Sequence, residues 1–202
     1  MAKVALNKSA LNKEKRGLKT FNRYLPALEL KRQQLMIERK KAEEALEETQ
    51  GALNDVERLV RAQLPMLARD DVQVENLVKV TGVRLTTENI VGTRVPLVER
   101  VEISLTPYSD LAKPHWVDYL VELLQQMIRL RIELQVRQLR YQELDKATRT
   151  TSQRVNLFSK VLIPETRKNI QKIQIYMSDQ DRAGVVNAKL SKGKLAQAAR
   201  RQ

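Results

Sequence analysis

Two stretches of apolar residues at 3-4 spacing, one towards each end of the chain, constrain its fold more than any other feature. The first runs Leu18, Phe21, Leu25, Leu28, Leu35, Ala42, Leu46, Leu53, Val56 and Val60, with Arg32, Arg39 and Thr49 in its polar slots. The second runs Met127, Leu130, Leu134, Arg137, Tyr141, Leu144, Thr148, Thr151, Val155, Phe158 and Leu162. Side chains repeating every ~3.5 positions keep facing one partner only if two helices wind around each other. The expected fold is therefore mainly α: a long antiparallel two-helix coiled coil of N- and C-terminal helices around a short middle that contains a β-hairpin. That shape suits a rod, lever or axle better than an active site.

Composition supports this reading. Six glycines, six prolines and 4 % aromatic residues in 202 argue against a sandwich or a doubly wound sheet, whereas 30 % charged residues fit long helices. A two-helix rod buries a stripe rather than a globular interior, so it is expected to be one component of a larger complex, completed by partners. The absence of cysteine excludes disulfides and thiolate metal sites. Met1 to Asn12 has no apolar stretch of the kind a signal peptide needs. No run approaches the ~18 apolar residues of a direct membrane span, so a soluble, cytoplasmic location is expected.

The net charge of +13 is unevenly spread. Residues 1–41 hold 12 Lys+Arg against 3 Asp+Glu, residues 42–113 hold 8 against 13, and residues 114–202 hold 17 against 8. An antiparallel hairpin brings the termini together, so it has one basic end. Such a pole suits nucleic acid, anionic lipid or an acidic protein cavity, and charge alone does not choose among them.

Four segments follow: an N-terminal coiled-coil helix (1–69), a middle segment with a short hairpin (70–113), a C-terminal coiled-coil helix (114–183) and a basic tail (184–202), frayed or disordered. The first helix is expected to begin at Ser9 or Asn12, whose side chains accept hydrogen bonds from a first turn, and to run to about Ala68, before Asp70 and Asp71. Pro65 reads as its stop and Pro26 as a bend. The second is expected to begin at Pro114 and reach about Asp181 with Pro164 inside. If Asp70 and Lys113 mark facing helix ends, Pro26 and Pro164 lie within two turns of each other and bend the rod together. Between the helices, Leu77–Val80 and Val83–Thr86, separated by Gly82, and alternating Val98, Val101, Ile103 and Leu105 after Pro96 read as strands of at most ~10 residues. A loop with Asn89 and Gly92 reverses the chain. So small a hairpin must pack on the rod or on another protein of the complex.

Chemistry is hard to find. Gly193-Lys194 resembles the end of a phosphate loop, but position 188 is Ala and no strand precedes it. His115 is the only histidine, which rules out a His-based triad or a multi-histidine metal site. Glu43, Glu44, Glu47 and Glu48 read as a solvated helix face. Arg32, Arg39 and Arg137 at seam positions read first as register-setting charges and second as partner contacts. Tyr24, Tyr141 and Tyr176 lie beside basic residues, but Tyr141 belongs to the seam, and no zinc finger or RNA-binding signature accompanies them. No catalytic, cofactor-binding or metal-binding residue is expected.

The run Arg154, Val155, Asn156, Leu157, Phe158, Ser159, Lys160, Val161, Leu162, Ile163, Pro164, followed by Ile170 and Ile173, resembles the signature of the D subunit of the V-type/A-type ATPases. Gly17, Leu18, Leu25, Leu28, Leu30, Lys31, Arg32 and Leu35 are similar to that family's first helix, so the resemblance spans nearly the whole chain. It departs at Lys8-Ser9, where the family commonly has Pro-Thr, and at Ala183-Gly184-Val185-Val186, where it usually has Phe-Phe.

The resemblance implies a non-catalytic central rotor shaft that transmits torque between the catalytic ring and the ion-translocating membrane ring. The implied partners are the catalytic (A) and noncatalytic (B) ring proteins, the small F subunit of the stalk and the C/d socket protein above the membrane ring. No nucleic acid is implied, and the location is peripheral to the membrane. Lys19, Arg23, Arg149, Arg154, Arg167 and Lys168 are expected to form part of the bearing surface. The related gamma shaft of F-type ATPases carries a large α/β domain for which a middle of ~44 residues is too short. The alternative is a basic coiled-coil adaptor for nucleic acid or anionic membrane, with steep salt dependence.

Overall fold

The computed structural model describes residues 5–68, 77–107 and 114–199. Asp70, Asp71 and Lys113, used above as helix limits, lie outside this set, as do Arg200 and Arg201 of the tail. The chain is mainly helical: α1 Lys8–Gln63, a 3-10 turn Pro65–Ala68, strands β1 Val78–Ile90 and β2 Thr93–Leu105, α2 Trp116–Asn156, a π turn Leu157–Leu162 and α3 Ile163–Ala199. It divides into a terminal unit, Met1–Leu30 with Thr151–Gln202, and a central unit, Lys31–Thr150.

Helix ends follow local hydrogen bonding. The Asn7 side chain accepts the Ala10 N–H at 2.7 Å, so α1 is capped at Asn7, ahead of the expected Ser9 or Asn12. Pro65 has no N–H to continue the ladder, and α1 gives way there to the 3-10 turn. Pro26 lies inside α1 on an exposed position. The expected start of the second helix at Pro114 moves to Trp116, because Pro114 instead closes a turn by accepting the Val117 N–H at 3.0 Å.

In the central unit, side chains of α1 and α2 meet in reversed order. Leu35 and Ala42 share a core with Leu144, the Arg137 guanidinium donates to the Ala45 carbonyl at 2.7 Å, and Val56 and Leu64 pack with Leu120 and Leu123. Buried hydroxyls in this face bond backward within their own helix, Thr49 to the Ala45 carbonyl at 2.8 Å and Thr148 to the Leu144 carbonyl at 2.7 Å. A polar residue is thereby buried without an orphaned group.

The hairpin strands are 13 residues each, longer than expected. Gly82 does not end a strand; it lies at a bulge between Val80 and Gly82, and β1 continues through it. Pro96 is inside β2, opposite Thr87. A two-stranded sheet is all edge, so a missing N–H is tolerated there. The reversal is the two-residue turn Val91-Gly92, with φ of 51° and 80°. Both central residues of such a turn need positive φ, which Gly adopts freely and a β-branched residue does not. The turn is held because Ile90 and Val95 are buried in the Leu35–Leu144 core and Val91 packs against it, and Glu88 pairs with Arg140 at 2.8 Å. The hairpin therefore packs on the helices of its own unit. Left-handed strain of about 1–3 kcal/mol outweighs the half-buried contacts of one valine, so Val91→Asn is expected to raise unfolding stability by about 1 kcal/mol in urea titration. A loss instead means that packing dominates the turn.

In the terminal unit, Phe21 and Phe158 meet edge to face with ring centroids 5.5 Å apart. In antiparallel order that contact sets Pro26 level with about Gln153, some eleven residues or ~16 Å along the helix from Pro164. The two prolines are thus at different heights, and the shared bend expected from the sequence is not available. Leu162, placed in the seam from its spacing, is half-buried, while its neighbour Ile163 is buried. Among the residues of α3 whose side chains are described, the last buried one is Ile173, and those from Gln174 to Lys194 are exposed apart from half-buried Met177. α3 nevertheless runs to Ala199, past Asp181. Ala, Leu, Lys and Gln there favour helix enough to carry Gly184 and Gly193, at about 1 kcal/mol each.

Candidate functional site

The central unit holds 19 Lys+Arg against 19 Asp+Glu, whereas the terminal unit holds 18 against 5. The whole net charge of +13 therefore sits on the unit that contains both termini. The pairing differs in the same way. Among the described residues, the ion pairs all belong to the central unit, including Arg39–Asp145 at 3.1 Å, Arg149–Asp145 at 2.7 Å and Arg137–Glu133 at 2.6 Å. The described cations of the terminal unit find too few carboxylates of their own and stand in solvent.

Of the six residues proposed from the sequence as a bearing surface, Lys19, Arg23, Arg154, Arg167 and Lys168 are exposed on helices of the terminal unit. Arg149 is exposed too, but it lies in the central unit and is bound to Asp145. The seam arginines divide. Arg39 and Arg137 reach across to the facing helix, as register-setting charges do. The Nε atoms of Arg32 and Arg39 are buried without a partner. The hydrogen bond to Asp145 holds Arg39 above its ordinary pKa, against the opposing effect of desolvation. A base raised on folding contributes stability that is complete below its unfolded pKa and is lost only as pH climbs past the raised value. A double-mutant cycle of Arg39→Met and Asp145→Asn is accordingly expected to give a coupling of about 1 kcal/mol, unchanged between pH 7 and 10. A coupling within error of zero removes the register role.

Two features are not apparent from the sequence. Val80, Val83, Leu85, Leu97 and Leu105 leave the hairpin with exposed apolar side chains, 39–52 % accessible. Leu85 is opposite Val98 and Leu97 is opposite Thr86, one position on, so these bare side chains lie on both faces of the sheet, and the apolar richness of both strands is the signal the sequence does carry. The second is the π turn, bracketed by the signature: Val155 and Ile163 are buried, Arg154 and Asn156 are exposed, and Pro164 is half-buried. His115 stands exposed in the turn before α2, Gly193-Lys194 lies within α3, and the described residues contain no cluster of His, Asp or Glu suited to a metal ion. No helix among them is long and apolar enough to cross a membrane.

The family model described as the D subunit of ATP synthase matches residues 10–193. The chain belongs to this D-subunit family. Among its relatives, a V-type ATP synthase D subunit of Borreliella burgdorferi is 36 % identical, covering 96 % of each chain. Those of Chlamydia caviae and Chlamydia trachomatis serovar L2 are 31 % and 33 % identical, covering 97 % of this chain and 95 % and 98 % of theirs. The D subunit is an accessory stalk protein of a rotary ATPase, and nearly its full length is represented here. The family signature, Arg154–Pro164, lies where α2 gives way through the π turn to α3.

Proposed function

We propose that this chain is the non-catalytic central rotor shaft of a V/A-type ATPase, carrying torque between the ring that turns over ATP and the ring that moves ions. In this reading α1 pairs with α2 and α3 as an antiparallel coiled coil along the shaft. The observation that carries the proposal, beyond family membership, is the confinement of the whole +13 charge to the unit with both termini. An exposed, unpaired basic surface suits a cavity shared by several ring proteins: as it turns, each interface meets a different face. Binding equilibria shift only through such differential contacts. The lone end of α3, with Val185, Val186 and Leu190 exposed, needs an enclosing surface because a single helix is marginal in water. The exposed apolar side chains of the hairpin serve other partners, the small stalk protein and the socket above the membrane ring.

The test is recovery of the tagged chain from its host in moderate salt after nuclease treatment, with stoichiometry determined. One copy with three catalytic and three noncatalytic ring proteins and a small stalk protein supports the shaft. Recovery of nucleic acid or lipid instead, falling away as salt rises, replaces it with the basic adaptor.

A further inference from the structure

The buried positions of the terminal unit, read along α2, the π turn and α3, do not keep a single heptad. Thr151, Val155, Ile163, Thr166 and Ile173 are buried, with half-buried Phe158 and Ile170 between them. In chain order their steps are four, three, five, three, four and three. Leu162, the position an unbroken heptad would use, is only half-buried beside buried Ile163. The one step of five falls on Leu157–Leu162, where the helix is π rather than α, and there the Ile163 N–H reaches back five residues to the Phe158 carbonyl. A π turn holds one residue more than the α turn it replaces. With that residue taken out, the steps become four, three, four, three, four, three, an unbroken heptad. Pro164 follows directly. In an α-helix its ring presses on the carbonyl four residues back, and it has no N–H to offer it. A widened turn just before it moves that carbonyl away.

We infer that the segment Arg154–Pro164 is a phase-keeping joint of the helix itself: one inserted residue, taken up as a π turn that accommodates Pro164, leaves Ile163, Thr166 and Ile173 on the same buried face as Thr151 and Val155. The signature is thereby assigned an intramolecular task, and this inference does not depend on the rotor reading. Leu157 and Val161, nearly half exposed, are the side chains the widened turn carries outward.

The inference makes an unusual claim: a deletion inside a helix should be harmless at one place. The full chain is compared with a variant lacking Ser159 and carrying Pro164→Ala, and with one lacking exposed Gln142 in the regular part of α2. Removing Gln142 turns the residues beyond it about 100° out of phase and should lower Tm by more than ~5 °C. The Ser159 deletion with Pro164→Ala should melt close to the parent or above it, and amide exchange at 159–165, faster than in the flanking turns of the parent, should slow to match them. A Tm nearer to that of the Gln142 deletion, or exchange that stays fast, overturns the joint.

Discussion

Replacing Lys19, Arg23, Arg154, Arg167 and Lys168 together by Glu is expected, on the proposed shaft reading, to abolish recovery of this chain with a catalytic ring while leaving it folded. All five are exposed, Glu is about as good a helix former as Lys or Arg, and the change removes repulsion within a unit that carries +13. Helical content and Tm should therefore stay within a few degrees of the parent. Association is another matter, because a surface matched to negative potential meets it with the wrong sign. A loss of at least ~100-fold in affinity, about 2.7 kcal/mol, should appear in titration against the isolated ring, together with a weakened salt dependence. Replacing Arg149 by Glu, in the central unit, should cost far less. Unchanged ring binding by the five-fold variant removes the basic unit from the bearing.

The largest effect on stability is expected at Leu144, which is fully buried with Leu35 and Val95 where both helices and the hairpin turn meet. Truncation there opens a cavity shared by three elements that cannot close over it independently. Leu144→Ala should cost about 3 kcal/mol, lowering Tm by roughly 6–12 °C for a chain of this size. Leu85→Ala, at an exposed hairpin position, should cost less than about 0.5 kcal/mol. Near-equal losses at the two positions would mean that the hairpin turn is not anchored in the core that Leu144 shares.

Helices, hairpin and family are all legible because each is written in short-range pattern. The 3-4 spacing that begins at Leu18 and at Met127 marks positions that are all buried or half-buried along α1 and α2. The Val91-Gly92 turn is hidden behind the looser loop that Asn89 suggests, since a valine at positive φ contradicts local preference and is sustained only by the Leu35–Leu144 core. The end of α3 is hidden for the opposite reason. Hydrophobic periodicity stops after Ile173 while the helix goes on, because periodicity reports what is covered and propensity reports what is helical.

The candidate site divides along the same line. By itself the sequence determined that the chain is long-helical, that it carries a hairpin, that its charge is basic at both ends and that its signature runs from Arg154 to Pro164. Those properties depend on residues a few positions apart. Only the tertiary structure decided that all of the net charge falls on one unit, that Arg149 pairs with Asp145, that apolar side chains of the hairpin stay bare and that the buried face steps by five across a π turn. Each of these depends on which distant residues come within a few ångströms, and a heptad or a charge count is silent on that.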